Sequence, residues 1–245
     1  EVEMKILALD SSGIVASVAV VEDDTLLAEY TVNYKKTHSQ TLLPMLDEIV
    51  KMTELDLESI DAIAVAAGPG SFTGLRIGSA TAKGLGLALK KPLVAVPTVD
   101  ALAYNLYDAQ GVICPIMDAR RKQVYTGIYR FEEHQLVTLK EQWAAPIEEL
   151  LEELNHRGEM VTFLGDGVPV FRDLIAEKLQ VPYSFAPAHV NKQRAAAVAA
   201  LGSIYYKEGR TETAMEHVPE YLRVSQAERE RAEREKVQKQ AGAEV

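Results

Sequence analysis

Two aspartates, each at the end of a short apolar segment, have the neighbouring residues best suited to binding a ligand. Hydroxyl side chains follow the first aspartate and guanidinium groups follow the second. A carboxylate at each of two strand ends, with these groups nearby, would suit a cleft for a metal-bound nucleotide between two lobes. Turn capping by the first aspartate and surface ion pairing by the arginines would explain the same pattern, so both interpretations stay open. The residues concerned are Asp10, Ser11, Ser12, Asp118, Arg120 and Arg121.

A glycine-rich segment, Gly68–Gly78, leads from a predicted buried strand into a helix. A turn at the start of a helix can bind an anion through its free N–H groups. The segment does not fit the phosphate loop G-x-x-x-x-G-K-[ST], because the residue five positions after Gly70 is Leu75. It does not fit G-x-G-x-x-G either, because Thr73 stands where the third glycine belongs. The segment is therefore a structural turn or an anion site of another kind.

Small residues recur at every fourth position of the helix that follows, predicted at about residues 74–90, and form a stripe along one face. A glycine inside a helix costs about 0.5–1 kcal/mol relative to alanine, so another backbone is expected to approach the stripe closely. That backbone belongs either to this domain's own sheet or to another chain. The stripe consists of Gly74, Gly78, Ala82 and Gly86.

Metal and nucleophile chemistry have little support in the sequence. The five histidines are isolated, without the H-x-x-x-H or H-E-x-x-H spacing that places two imidazoles on one helical face. Cys114 is the only cysteine, which excludes an intrachain disulfide and a multi-thiolate metal site, and there is no G-x-S-x-G elbow. We therefore predict no catalytic residue and no metal site.

The charge and the hydropathy of the chain restrict its partners. The 245 residues include 26 Lys and Arg against 36 Asp and Glu, so the formal charge is −10 at pH 7. An acidic surface repels phosphates, and free nucleic acid is not expected to bind this chain alone. No apolar run reaches the roughly 20 residues of a membrane span, so we expect no membrane contact and a cytoplasmic location.

The elements that position these residues are predicted in a repeated order. Each half of the chain begins β-β-β-α-β-α, an internal duplication that predicts a two-lobed α/β fold. We place the N-terminal lobe at residues 4–108, the C-terminal lobe at residues 109–225 and a charged tail, a solvated or frayed helix or disordered, at residues 226–245. The predicted helices cover about residues 39–52, 74–90, 98–107, 146–155, 170–179 and 194–206.

Several segments, occurring together and in order, resemble the bacterial TsaB family, also called YeaZ. The resemblance extends from Met4 to about Arg223, and the glycine-rich block is highly specific for the family. Ser11 stands where the family usually has threonine, which preserves the hydroxyl group. The segments are Ile6–Ser12, His38–Ser39 with Leu42–Pro44, Gly68–Gly78, Asp118–Arg121 with Val124–Tyr125, and Pro219–Arg223.

The resemblance implies the two-lobed ASKHA fold of actin, heat-shock chaperones and sugar kinases, which is RNase H-like and agrees with the duplication. It implies a non-catalytic subunit that binds and activates the catalytic subunit TsaD, together with the ATPase TsaE, to form N6-threonylcarbamoyladenosine in tRNA. The family also implies a homodimer when the chain is alone, and ATP that is used by the complex, with no cofactor tightly bound here. Contact with tRNA is expected to be indirect or weak, with Arg120, Arg121 or Lys122 as candidates.

The surface expected to receive TsaD, and to form the homodimer, lies on the N-terminal lobe. It combines the small-residue stripe with one face of the first predicted helix: Leu42, Leu46, Ile49, Val50, Gly74, Gly78, Ala82 and Gly86. A stand-alone ATPase or phosphotransferase, with ATP between Asp10 and Asp118, is the alternative function. A metal-dependent peptidase is a third interpretation, and the missing histidine pair argues against it.

Overall fold

The structure is a computed structural model that describes residues 3–35 and 37–222. The first half contains β1 (Lys5–Asp10), β2 (Val15–Glu22), β3 (Thr25–Asn33), α1 (Leu42–Thr53), β4 (Ala62–Gly68), α2 (Phe72–Leu89), β5 (Leu93–Pro97) and α3 (Thr98–Tyr104). The second half contains β6 (Val112–Asp118), β7 (Gln123–Glu132), β8 (Gln135–Pro146), α4 (Ile147–Arg157), β9 (Val161–Leu164), α5 (Gly167–Lys178), β10 (Tyr183–Phe185) and α6 (Ala195–Lys207). Short 3-10 helices occupy His38–Gln40 and Leu57–Ser59.

Each half forms one five-stranded sheet. The strand orders are β3-β2-β1-β4-β5 and β10-β9-β6-β7-β8. In both sheets the first three strands of the half pair antiparallel, and the other two continue the sheet in parallel from the first strand. The shared pattern confirms the predicted duplication. The sequence does not predict β10, the counterpart of β5, because three residues are too few to show a period of two.

The helix positions agree with the sequence prediction, and their ends differ by a few residues. α1 begins at Leu42 rather than residue 39, because the 3-10 helix His38–Gln40 precedes it. α2 begins at Phe72, two residues earlier than predicted, because Ser71 is its N-cap and accepts a hydrogen bond from the Gly74 N–H at 3.3 Å. α3 ends at Tyr104 rather than residue 107.

The helices cover both faces of the first sheet. α1 and α2 pack on one face, where Leu42, Leu46, Ile49 and Ala82 join a core with residues of β1, β2 and β4. α6 packs on the opposite face with Ile6 and other residues of the same strands. α6 follows β10 in the chain and lies within the predicted C-terminal lobe, residues 109–225, yet it covers the first sheet. The second sheet packs against α4 and α5 through a separate core.

α3 lies between the two sheets. Leu102 packs in a core with residues of the second sheet, while Ala101 packs in a core of the first. Asp100 accepts hydrogen bonds from the hydroxyl of Tyr129 on β7 (2.5 Å) and from that of Tyr205 on α6 (3.4 Å). Burial raises the pKa of the Asp100 carboxyl despite both donors. The contacts of α3 therefore join the two halves of the chain.

The predicted tail at residues 226–245 lies outside the described residues, as does Arg223. In the described part of the chain, no helix combines the length and the apolar character that a membrane span requires. Cys114 is fully buried, and burial raises the pKa of its thiol to about 12.

Candidate functional site

The glycine-rich segment packs directly on the turn that follows β1. β1 and β4 are parallel neighbours, so their carboxyl ends meet at one edge of the sheet. The Ser71 N–H donates to the Ser12 carbonyl at 2.7 Å, and the Ser11 hydroxyl donates to the Gly74 carbonyl at 2.8 Å. We call the contact between residues 10–13 and residues 68–78 the glycine junction. Its hydrogen bonds tie the start of α2 to the end of β1.

The glycines of the junction are required by close approach. A Cβ at Gly74 would lie 2.1 Å from the Ser11 carbonyl oxygen, and one at Gly78 would lie 2.4 Å from the Ser11 hydroxyl. Farther along α2, a Cβ at Gly86 would lie 2.4 Å from a methyl group of Leu93. The stripe therefore faces this domain's own sheet and turn, which is one of the two alternatives that its spacing left open.

This result corrects the predicted partner surface. Seven of the eight predicted residues are buried on the sides of the helices that face the sheet. They are Gly74, Gly78, Ala82 and Gly86 on α2, and Leu42, Leu46 and Ile49 on α1. Val50 is half-buried and packs against the same core. The physical reason is that an amphipathic helix on a sheet directs its apolar face toward that sheet, so the residues that show the strongest periodicity are those that the fold itself covers.

The outward faces of α1 and α2, which lie side by side, carry a different set of residues. Leu43, Met52 and Leu87 are large apolar residues that are 54%, 76% and 60% exposed. Gly84 is exposed as well, and a Cβ built there would meet nothing within 4 Å. We call Leu43, Met52, Gly84 and Leu87 the outer helical face. Contacts within the described chain do not explain a glycine at position 84.

Asp10 is buried in the glycine junction. Its Oδ1 accepts hydrogen bonds from the Ser12 N–H (2.9 Å) and the Ser12 hydroxyl (2.6 Å), as the turn-capping interpretation predicts. Burial raises the pKa of the carboxyl to about 6, although these two donors act in the opposite direction. Its Oδ2 has no hydrogen-bond partner in the described part of the chain. The His38 imidazole lies against the same turn, where Nε2 donates to the Gly13 carbonyl at 2.7 Å.

Asp118 occupies the corresponding strand end of the second sheet. Its Oδ1 accepts from the Arg120 N–H at 2.9 Å, and its own N–H donates to Asp166 at 3.0 Å. Burial raises the pKa of the Asp166 carboxyl. No hydrogen bond or ion pair within residues 3–35 and 37–222 joins the Asp118 group to the Asp10 group. Each aspartate organises its own turn.

The turn after Asp118 has an unusual backbone. Arg120, Arg121 and Lys122 all adopt the left-handed conformation, with φ of 65°, 54° and 57°. This conformation costs about 1–2 kcal/mol for each residue with a Cβ, or about 3–6 kcal/mol for the three residues. The turn is held by hydrogen bonds from Gln123 N–H to the Arg120 carbonyl (3.1 Å) and from Ile147 N–H to the Lys122 carbonyl (3.0 Å). We call residues 120–122 the basic hairpin.

The segment at residues 219–222 also docks on the glycine junction. The Glu220 N–H donates to the Ala67 carbonyl at 2.7 Å, and a Cβ at Gly68 would lie 2.2 Å from the Glu220 carbonyl oxygen. The ring of Tyr221 lies 4.9 Å from that of Phe72 between centroids. This contact could not be predicted, because a short extended segment has no periodicity to relate it to a distant turn. The junction thus joins three separate segments of the sequence.

Within residues 3–35 and 37–222, no three or more His, Cys, Asp or Glu side chains are grouped so that they could hold a metal ion. The buried His217 has a carboxylate partner, with its Nδ1 2.6 Å from Glu212.

Comparison with known proteins places the chain in a family. The family model described as TsaD, tRNA N6-adenosine threonylcarbamoyltransferase, matches residues 25–231. The Bacillus subtilis protein named tRNA threonylcarbamoyladenosine biosynthesis protein TsaB is 34% identical over 225 residues, covering 92% of this chain and 96% of that protein. The chain belongs to the TsaB family. The Escherichia coli TsaB is 32% identical, also over 225 residues, covering 90% of this chain and 95% of that protein.

A solved structure agrees with this assignment to the TsaB family. YeaZ from Pseudomonas aeruginosa superposes with a TM-score of 0.76 at 25% identity, covering 89% of this chain and 100% of that chain. The predicted two-lobed α/β fold, with one sheet in each half, is confirmed, as is the resemblance to TsaB and YeaZ.

Proposed function

We propose that this chain is a non-catalytic subunit in the formation of N6-threonylcarbamoyladenosine in tRNA. In this role it binds and activates a TsaD-type catalytic subunit, together with a TsaE-type ATPase, in the cytoplasm. The observation that carries the proposal is similarity along almost the whole chain to two proteins named for the biosynthesis of this nucleoside. The match to the transferase family model, over residues 25–231, supports a fold shared with the catalytic subunit.

The glycine junction supports a structural rather than a catalytic role for the residues that suggested chemistry. Asp10, Ser11 and Ser12 are 1–2% exposed. The start of α2 already forms hydrogen bonds with Ser11 and Ser12. An anion could bind at this place only if the turn were open. ATP is then consumed by the assembled complex, and this chain holds no cofactor tightly.

The outer helical face is the surface we propose for the TsaD-type subunit. Its apolar side chains gain free energy when a partner covers them, at roughly 25 cal/mol per Å² of apolar area. Gly84 allows a partner helix to approach the α2 backbone closely. The same face would pair with itself across a two-fold axis, because a symmetric dimer uses one patch on both subunits. The homodimer and the complex with the catalytic subunit therefore compete.

Reconstitution of product formation tests the proposal. Unmodified tRNA is incubated with the TsaD-type subunit, the TsaE-type ATPase, the adenylate-forming enzyme, ATP, threonine and bicarbonate, with and without this chain. We expect threonylcarbamoyladenosine only when the chain is present. Equal product in both reactions would refute the activating role.

A stand-alone ATPase or phosphotransferase is the second candidate function. The observation that favours it is the Oδ2 of Asp10, which is buried at a strand end and has no hydrogen-bond partner among the described residues. Calorimetry of the isolated chain with Mg-ATP separates the two functions. The subunit role predicts no tight binding, whereas a Kd in the micromolar range with turnover would support the enzyme.

A further inference from the structure

We propose that the basic hairpin, Arg120–Lys122, binds the phosphate backbone of RNA. The inference rests on the proposed function, since it supplies a contact between this chain and the tRNA on which the complex acts. It concerns the turn between β6 and β7 in the second sheet, rather than the outer helical face on α1 and α2.

The cations of the hairpin are available for a partner. All three residues are exposed, and the Arg120 side chain is 88% exposed. Its only ion pair in the described ranges is a long one, at 3.6 Å, to Asp118. Arg121 and Lys122 form no ion pair within residues 3–35 and 37–222. Glu148, a carboxylate near Lys122, is already paired with Lys178 at 2.7 Å.

The three cations of the hairpin are consecutive, which concentrates positive charge on a chain that is acidic overall. Its 36 Asp and Glu residues outnumber the cations, and many other surface cations are paired at short range. Examples are Lys5 with Glu22 (2.5 Å), Arg130 with Glu159 (2.9 Å) and Arg194 with Glu29 (2.6 Å). Three adjacent exposed cations, whose only ion pair in the described ranges is the long one to Asp118, therefore form a local positive patch on an acidic chain.

The backbone fixes the patch in place. Three successive left-handed residues compress the turn, and hydrogen bonds to Asp118, Gln123 and Ile147 hold it. A cation presented on a fixed turn loses less freedom when it binds than one on a flexible loop. Two of the three side chains are arginines, whose planar guanidinium groups bind phosphate oxygens in a bidentate manner. Phosphate binding also releases counterions, which gives affinity without base recognition.

Salt-dependent tRNA binding by the assembled complex tests the inference. The hairpin variant is Arg120→Gln, Arg121→Gln and Lys122→Gln together, which keeps the chain length and removes three charges. A matched control changes three exposed cations elsewhere, Lys90→Gln, Arg172→Gln and Lys207→Gln. Lys90 also adopts a left-handed backbone, with φ of 55°, so the control includes the same conformational feature.

We expect the hairpin variant to bind tRNA about 10–100-fold more weakly near 150 mM salt and to reduce the slope of log K against log salt by about 2–3. The control should stay within about twofold of the unmodified complex. A further variant, Arg121→Gly, relieves the left-handed backbone while removing one cation. It should be at least as stable as the parent and still bind tRNA more weakly, which separates charge from folding.

Three outcomes would overturn the inference. The first is an unchanged affinity and salt slope in the hairpin variant. The second is an equal effect of the control variant, which would indicate net charge alone. The third is failure of the hairpin variant to join the complex on a sizing column, which would indicate an acidic protein partner instead. The proposed function stands in each case as long as product formation still requires the parent chain.

Discussion

Alanine substitutions at two glycines of α2 should change stability in opposite directions. Gly74 and Gly84 lie in the same helix and receive the same methyl group. At Gly74 the new Cβ would be 2.1 Å from the Ser11 carbonyl oxygen, a backbone atom that cannot rotate away. At Gly84 the new Cβ would meet no atom of the described residues within 4 Å. The only effect expected at Gly84 is the higher helix propensity of alanine.

The magnitudes follow from these contacts. Overpacking costs about 1–3 kcal/mol, and moving the turn away from α2 weakens the hydrogen bond between Ser11 and Gly74, worth about 1 kcal/mol. The higher helix propensity of alanine offsets less than about 1 kcal/mol of this loss of stability. Gly74→Ala should therefore lower the free energy of unfolding by about 2–3 kcal/mol and Tm by roughly 5–10 °C. Gly84→Ala should raise it by about 0.5–1 kcal/mol.

Urea unfolding of both variants, with thermal denaturation as a second probe, measures these differences. A double variant sharpens the test at a third glycine. At Gly78 the obstacle is the Ser11 hydroxyl, 2.4 Å from the new Cβ, so Ser11→Ala should recover part of the loss in Gly78→Ala. The same Ser11→Ala should not rescue Gly74→Ala, whose obstacle is the main chain. A Gly74→Ala protein as stable as the parent would refute the close packing of the glycine junction.

Three further predictions concern the outer helical face, Asp10 and α3. Leu87→Asp should abolish the homodimer and the complex on a sizing column. Its change in Tm should be no larger than that of Val170→Asp, an exposed control on α5. Retention of both assemblies would contradict the proposed surface. Burial raises the Asp10 pKa from 3.8 to about 6, so the folded protein holds this proton more tightly and stability falls by about 3 kcal/mol as pH rises through that window. Asp10→Asn should remove this loss, and parallel pH profiles of unfolding for the two proteins would refute it. Tyr129→Phe removes the 2.5 Å donor to the buried Asp100 and should cost about 1–3 kcal/mol in urea unfolding, more than Tyr205→Phe, whose hydroxyl lies at 3.4 Å.

The sequence predicts the architecture well because the signals for it are local. Continuous apolar runs such as Ala62–Ala67 mark strands covered on both faces, and α1 is apolar at helical spacing. Repetition of the same element order in the second half then indicates two lobes. The prediction fails where the signal is short or distant. β10 is three residues long, and α6 covers the first sheet although it follows the second in the chain.

The candidate site was harder to predict because spacing shows which residues share a face but not what that face contacts. The spacing of the stripe predicted close contact, and the structure identifies the contacting groups as the Ser11 backbone and hydroxyl at Gly74 and Gly78 and a Leu93 methyl group at Gly86. The docking of Tyr221 on Phe72 joins segments about 150 residues apart, which no local pattern records. The left-handed turn at Arg120–Lys122 also had no signal, because glycine and asparagine, the usual residues of such turns, are absent from it.

Small residues occur on two sides of α2, and the two sides have different explanations. On the inner side, Gly74 and Gly78 are explained by the turn they touch, so the chain itself requires them. On the outer side, Ala80, Gly84 and Ala88 recur at the same interval and are exposed. A glycine within a helix costs up to about 1 kcal/mol, and at position 84 no contact within the described residues offsets that cost. A partner subunit that packs against Gly84 would offset that cost, which is why we assign the outer helical face, rather than the more regular inner stripe, to the partner subunit.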